Sequence, residues 1–308
     1  MNEINCDSCN SSLLELDPYQ NYKHTKCVNC GLERFVCVDT LIESSIYEND
    51  ADYIDDLNIT KNSEDLILWH HSKAITFLEK KFQSGHISSL DIGCFNGFFV
   101  KKLLTLGYDA HGIDFNKDAI SFGKQKLKLE SRISTESIET LISLGNKYNA
   151  ITLFEVLEHL NNTNDFLSNV CKLLKEDGVL IISTPNNKMC WRPALDYPPH
   201  HLSRFTTKSI SGYLTQIGLK TVYSSEQMSC YELIRHYVGS FFRAKDNPSL
   251  RGGEFKNKNL TTILRRIMNK LRKLLNILFL PIDKMLYILG LRYISLLVIA
   301  EKSKTLSK

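Results

Sequence analysis

Four cysteines near the start of the chain are spaced to hold a metal ion: Cys6-x-x-Cys9, seventeen intervening residues, then Cys27-x-x-Cys30. Each pair can form a tight knuckle that brings two thiolates to one ion, and two knuckles complete a tetrahedron. Four thiolates leave no open position for water, so the spacing predicts a structural zinc ribbon and not a catalytic zinc. A unit of about forty residues has little core, and the metal would supply much of its folding free energy. Unrelated buried or redox-active thiols are the alternative, and Cys37, outside the pattern, reads as an ordinary thiol.

A second set of chemical residues lies in "SSLDIGCFNGFFVKKLL", which reads as strand, glycine turn and helix. Gly93 and Gly97 fall where backbone must approach a ligand closely. The next strand ends in "GIDF" with Asp114, twenty-one residues beyond Gly93, where a carboxylate can accept from both hydroxyls of an adenosine ribose. Nicotinamide dinucleotides and S-adenosylmethionine are both held this way. The turn Gly93-Cys94-Phe95-Asn96-Gly97 lacks the G-x-G-x-x-G spacing that lets a chain approach a pyrophosphate. Asp91 would repel a pyrophosphate but suits the ammonium of a methionine-like tail. The bland alternative is a tight strand-to-helix turn without ligand.

"LDIGCFNGFF", "GIDF" and "FEVLEHL", in this order, resemble a class I S-adenosylmethionine-dependent methyltransferase. The branch is the one with ubiquinone-biosynthesis O-methyltransferases and surface-glycan methyltransferases. The resemblance covers roughly residues 64–230, and "SLLVIAEK" resembles the last strand of that fold. It departs from D-x-G-C-G-x-G at Phe95. It implies a doubly wound, seven-stranded Rossmann-like α/β sheet. Asp91, Gly93 and Gly97 would surround the methionine moiety and Asp114 the ribose. Phe115 would lie beside the adenine, with Thr135 and Glu136 near it, and Glu155 would pack near the cofactor.

In some relatives an E-x-x-E-H set binds a divalent cation with a later histidine. Here Glu155, Glu158 and His159 match it, with His200 or His201 as the later group. Such ligands suit Mg²⁺, Mn²⁺ or Zn²⁺, which could acidify a substrate hydroxyl. In the competing reading, Glu158 and His159 only cap and solvate a helix. Methyl transfer to a hydroxyl needs alignment and a base, and a histidine near neutrality suits that task. His201 is the expected base, with His159 and His200 behind it, unless these histidines merely order their loop. Trp191, Arg192 and Tyr197 in the same loop suit an acceptor pocket or its packing.

Alternating apolar runs must carry these residues. "HISSLDIG", "YDAHGIDF", "NAITLFEV" and "GVLIIST" read as strands, while "FFVKKLLTLG", "KDAISFGKQKL" and "TNDFLSNVCKLLKEDG" read as helices. The expected layout is a ribbon at 1–40, an acidic linker at 41–63 and a methyltransferase domain at 64–308 with a basic helical insertion at 231–290.

Residues 235–292 hold thirteen Lys or Arg against three acids, a net +10 in a chain of +4, so the remainder is −6. At 260–278 leucines and isoleucines follow helical spacing with cations between them, which suits an anionic membrane surface or ordinary packing. Basic residues without interleaved aromatics argue against nucleic acid. The apolar run from Leu274 to Ala300 is interrupted by Pro281, Asp283, Lys284 and Arg292, so no membrane span is expected. The opening residues lack a basic stretch followed by an apolar run, so reduced thiols and a cytoplasmic protein, peripheral on the inner membrane face, are expected. The resulting expectation is a methyltransferase acting on a hydroxyl of a sugar or lipid-linked glycan in surface polysaccharide biosynthesis. An RNA methyltransferase and a non-catalytic zinc-ribbon scaffold of a biosynthetic complex are the alternatives.

Overall fold

The computed structural model describes residues 5–38, 67–83, 86–189, 192, 196–231, 233–234, 258–291 and 294–302. The expected linker at 41–63, Trp191 and the insertion between 235 and 257 lie outside the described residues. So do the side chains of Arg265, Arg266, Lys270, Arg272 and Lys273.

Three strands come first: β1 (Leu13–Tyr19), β2 (Tyr22–Cys27) and β3 (Glu33–Cys37), paired antiparallel in that order. Helix α1 (Trp69–Lys81) leads into β4 (Ser88–Ile92), α2 (Phe98–Thr105), β5 (Asp109–Ile113), α3 (Lys117–Leu127) and β6 (Ile133–Ser134). The chain continues as α4 (Ile138–Ser143), β7 (Tyr148–Phe154), a 3-10 turn (Leu157–His159), α5 (Thr163–Lys172), β8 (Leu174–Pro185) and β9 (Ser203–Arg204). It ends with α6 (Thr207–Gln216), β10 (Leu219–Glu226), α7 (Lys258–Ile288) and β11 (Ser295–Lys302).

The large sheet has seven strands in the order β10-β11-β8-β7-β4-β5-β6. β4, β5, β6, β7 and β8 pair parallel, whereas β11 is inserted antiparallel between β8 and β10. Strand order reverses at β4, which lies between β5 and β7, so the crevice for a ligand opens beyond the carboxyl ends of these strands.

β7 and β11 are buried along nearly their whole length because both sheet faces are covered. One face packs Ala74 and Leu78 of α1 and Phe99, Val100 and Leu103 of α2. The other packs Leu167 and Val170 of α5, Ile210 and Leu214 of α6, and also Leu32 and three of the ribbon cysteines.

Two expectations need correction. "LKEDG" does not extend a helix: α5 stops at Lys172, and buried Leu173 and Leu174 turn the chain into β8. "LEHL" forms only a 3-10 turn, so Glu158 and His159 do not sit on a regular helix.

The ribbon joins the domain through backbone pairing. β3 pairs antiparallel with β9, which makes a second sheet in the order β1-β2-β3-β9. Ser8 Oγ donates to the Ser209 carbonyl at 2.7 Å, and Thr206 Oγ1 to that of Cys30 at 2.6 Å. No helix among the described residues is long and apolar enough to cross a membrane. α7 is anchored where Asp283 accepts from the Cys230 N–H at 2.7 Å, while Leu274, Ile277, Leu278, Met285 and Ile288 stand exposed along it.

Candidate active site

The turn after β4 is set by residues with positive φ. Gly93 and Gly97 both have φ +78°, and Phe95 between them has φ 51°. A Cβ on Gly93 would come 2.5 Å from Val156 Cγ2, so only glycine lets this turn lie against the loop after β7. Phe95 takes the left-handed conformation that a glycine adopts more easily, and its N–H donates to Asp114 Oδ2 at 2.8 Å. Asp114 Oδ1 accepts from the Asn116 N–H at the same distance. Burial pushes the Asp114 carboxyl up, and these two N–H donors pull against it.

Asp91 is 4% exposed and accepts from Thr152 Oγ1 at 2.6 Å. Burial, with the Asp114 charge adding to it, pushes its carboxyl up to about 7 against the Thr152 hydrogen bond. A buried acid so disfavoured as an anion is a ready partner for a ligand cation. Phe115 is exposed beside Asp114, and Thr135 and Glu136 are exposed on the loop after β6, so the expected adenine end is an open edge. The glycine turn, the two acids and this open edge together fit the amino-acid and nucleoside ends of S-adenosylmethionine.

The loop after β7 brings in the second constellation. Glu155 has φ 55°, and its carboxylate accepts from Ser183 Oγ at 2.9 Å. Glu158 is 1% exposed, and neither of its carboxylate oxygens has a hydrogen-bond donor. Burial and then the Glu155 charge push the Glu158 carboxyl well above its usual range. One ligand atom from each of Glu158, His159 and His201 lies within 4.8 Å of the others.

His159 Nδ1 lies 2.7 Å from the His200 carbonyl oxygen, so Nδ1 carries the proton and Nε2 presents its lone pair. Burial, with His201 adding to it, depresses His159 to about 3, which keeps the ring neutral. His201 Nδ1 lies 2.9 Å from Asp196 Oδ1, which leaves its Nε2 as the basic atom as well. A buried carboxyl group beside two such imidazoles could hold a divalent cation.

The expected site residues therefore divide. Glu158, His159 and His201 converge, whereas Glu155 turns to Ser183 and His200 serves His159 through its backbone carbonyl. Two groups were missed from sequence. Asp196 orients His201 from five residues upstream in the same loop. His70 and His71 of α1 stack on Phe154 and Phe99, at 4.7 and 4.6 Å between ring centroids, flanking the glycine turn and the end of β7. The adjacent histidines at the start of that helix were the available signal.

At the ribbon, Cys6 and Cys30 Sγ are 3.6 Å apart and Cys9 and Cys27 Sγ 3.4 Å apart, and all four lie within 4.8 Å of one another. A tetrahedron with bonds of about 2.3 Å has edges of about 3.8 Å, which matches. The Cys6 thiol, as a hydrogen-bond donor, lowers Cys30 to about 5, and the Cys30 N–H points at Cys27 Sγ.

Residues 68–224 match the family model described as a methyltransferase domain. The ubiquinone biosynthesis O-methyltransferase of Pelagibacter ubique is 30% identical over 109 residues, which is 34% of this chain and 44% of that protein. The enzyme of the same name from Bartonella tribocorum is 26% identical over 159 residues, 44% of this chain and 64% of its own length. The chain thus spans about half the length of the curated relatives it matches.

A solved S-adenosylmethionine-dependent methyltransferase from Archaeoglobus fulgidus shares the fold, with a TM-score of 0.52 at 19% identity over 82% of this chain and 100% of that one. Magnesium protoporphyrin IX methyltransferase from Synechocystis PCC 6803 does so with a TM-score of 0.51 at 13% identity, over 85% and 100%. With the family model covering half of the chain on a sheet of this topology, the chain belongs to the class I S-adenosylmethionine-dependent methyltransferases.

Proposed function

We propose that the protein moves a methyl group from S-adenosylmethionine to a hydroxyl on the ring of a lipid-linked acceptor. The observation that carries this reading is the convergence of Glu158, His159 and His201 on the loop whose Val156 lies against Gly93 of the cofactor turn. Bound S-adenosylmethionine supplies the electrophilic methyl. Asp91 would meet its ammonium and Asp114 its ribose, while Phe115, Thr135 and Glu136 border the adenine. His201, held through Nδ1 by Asp196, takes the hydroxyl proton at Nε2.

Glu158 and His159 would hold a divalent cation such as Mg²⁺, Mn²⁺ or Zn²⁺ beside His201, and its charge would lower the pKa of a coordinated hydroxyl whose proton His201 Nε2 takes. Cys6, Cys9, Cys27 and Cys30 would hold a structural zinc. The names of the relatives favour a hydroxyl acceptor in ubiquinone biosynthesis, and none of those compared above names a glycan. The exposed apolar side chains of α7 suit an enzyme that meets its acceptor at a lipid surface.

The test is incubation of the full chain with methyl-labelled S-adenosylmethionine and the organic and aqueous fractions of a cell extract. Label should enter the organic fraction as a methyl ether. His201→Gln should lower the rate about 10²-fold or more with cofactor affinity unchanged. Label found only on amines, or a full rate in His201→Gln, would overturn the reading.

A further inference from the structure

The contacts that hold His201 lead back to the ribbon. Asp196 is 2% exposed, and while one oxygen meets His201, the other meets Arg192 at 2.5 Å and Arg204 Nε at 3.3 Å. Arg204, 6% exposed, also donates to the Asp196 backbone carbonyl at 2.9 Å. Its far end reaches Glu33 on β3 at 3.2 Å. Its guanidinium lies between two rings, 4.7 Å from the centroid of Phe35 on β3 and 4.5 Å from that of Tyr197. The Phe35 N–H donates to the carbonyl of Leu202, the residue after His201, at 2.9 Å.

Arginine is the side chain that can do this, because its planar fork spans two carboxylates while stacking on aromatic faces. Glu33 fixes the guanidinium from the ribbon side, Phe35 and Tyr197 fix its plane, and the remaining edge fixes Asp196. Arg192 alone would hold one Asp196 oxygen but not the backbone that carries it.

We propose that Glu33 and Arg204 are positioning residues which, through Asp196, keep His201 in its Nδ1–H form with Nε2 as the basic atom, so that the ribbon is a wall of the active site. This rests on the reading of His201 as the base. It predicts that disturbing β3 at Glu33 alters a histidine on another chain segment more than 160 residues away.

The test uses full-length protein with ¹⁵N-labelled histidine, the His201 signals being assigned with His201→Gln. Arg204→Gln and Glu33→Ala are compared with Lys208→Ala, which removes a different tie between ribbon and domain, the Lys208 contacts to Asn29. In the wild type and Lys208→Ala, His201 should show a single Nδ1–H tautomer. In Arg204→Gln and Glu33→Ala it should become a tautomer mixture, with the affinity for S-adenosylmethionine, read by calorimetry, unchanged within about threefold.

Wild-type His201 signals in both relay variants, or an equal change in Lys208→Ala, would overturn the inference. The readout needs no acceptor. If the tautomer shifts as expected but His201→Gln still transfers methyl at full rate, the base assignment falls and the positioning network stands.

Discussion

The backbone N–H of Phe95 donates to Oδ2 of Asp114 at 2.8 Å, so the residue that departs from the family's glycine is bound to the carboxylate expected to hold the ribose. That bond depends on the backbone and not on the ring. Phe95→Gly should therefore leave the affinity for S-adenosylmethionine within about threefold while removing left-handed strain of order 1 kcal/mol. Asp114→Ala removes the acceptor for both the ribose and the turn, and should weaken binding by about 2 kcal/mol, roughly thirtyfold. Calorimetric titration of both variants checks the pair, and equal losses would show that the ring itself lines the pocket.

The strand–turn–helix at 88–105 was legible because its information is local: an apolar run, two glycines at fixed spacing and a helical repeat. Asp114 followed from its position at the end of the next strand. The loop that carries His201 was less legible because its geometry is made by distant partners. Nothing in "PPHHLSRF" says that Ser203 and Arg204 become a strand beside Glu33 and Arg34, a pairing of segments far apart in sequence. That pairing helps decide which of two adjacent histidines faces the site. "LEHL" read as helical because a 3-10 turn leaves the same short-range signature, and the short elements β6 and α4 had too few residues to show a period.

The Asp91 carboxyl gives S-adenosylmethionine binding a defined pH dependence. Its value in the unliganded protein is raised from 3.8 to about 7, so the neutral form predominates below pH 7. The ligand ammonium pairs with the anion. Affinity is therefore full above the raised value and lost as pH falls through it, by roughly tenfold per pH unit below 7. Titrations between pH 5.5 and 7 should show this slope, and Asp91→Asn should flatten it while weakening binding. For the unliganded protein the sign is opposite: burying the anion costs stability as pH rises from 3.8 towards 7, so Asp91→Asn should melt higher than wild type at pH 8.

The ribbon should hold one zinc per chain. Its four thiols share three of their four cysteines with the main apolar cluster, so losing the metal should loosen the domain as well as the ribbon. Cys27→Ser leaves three thiolates and should lower both metal content and melting temperature, because metal binding and folding are coupled at such sites. Elemental analysis and calorimetry check this, and a metal-free wild type with an unchanged melting temperature would remove zinc from the account.

Glu158 should oppose stability unless a cation sits beside it. Burial and the neighbouring Glu155 charge push its carboxyl well above the usual range, so at neutral pH folding must protonate it, which costs free energy that a bound cation would offset by stabilising the anion. Glu158→Gln removes that protonation cost and keeps a donor, an amide N–H, for the Glu155 carboxylate. In buffer without added divalent cations, the variant should be more stable than wild type by about 1 to 3 kcal/mol. Adding Mn²⁺ should then raise the melting temperature of wild type but not of Glu158→Gln, since binding only to the folded state stabilises by mass action. If Mn²⁺ shifts both proteins equally, the cation binds elsewhere, and Glu158 is then a buried acid whose role is confined to packing against the cofactor loop.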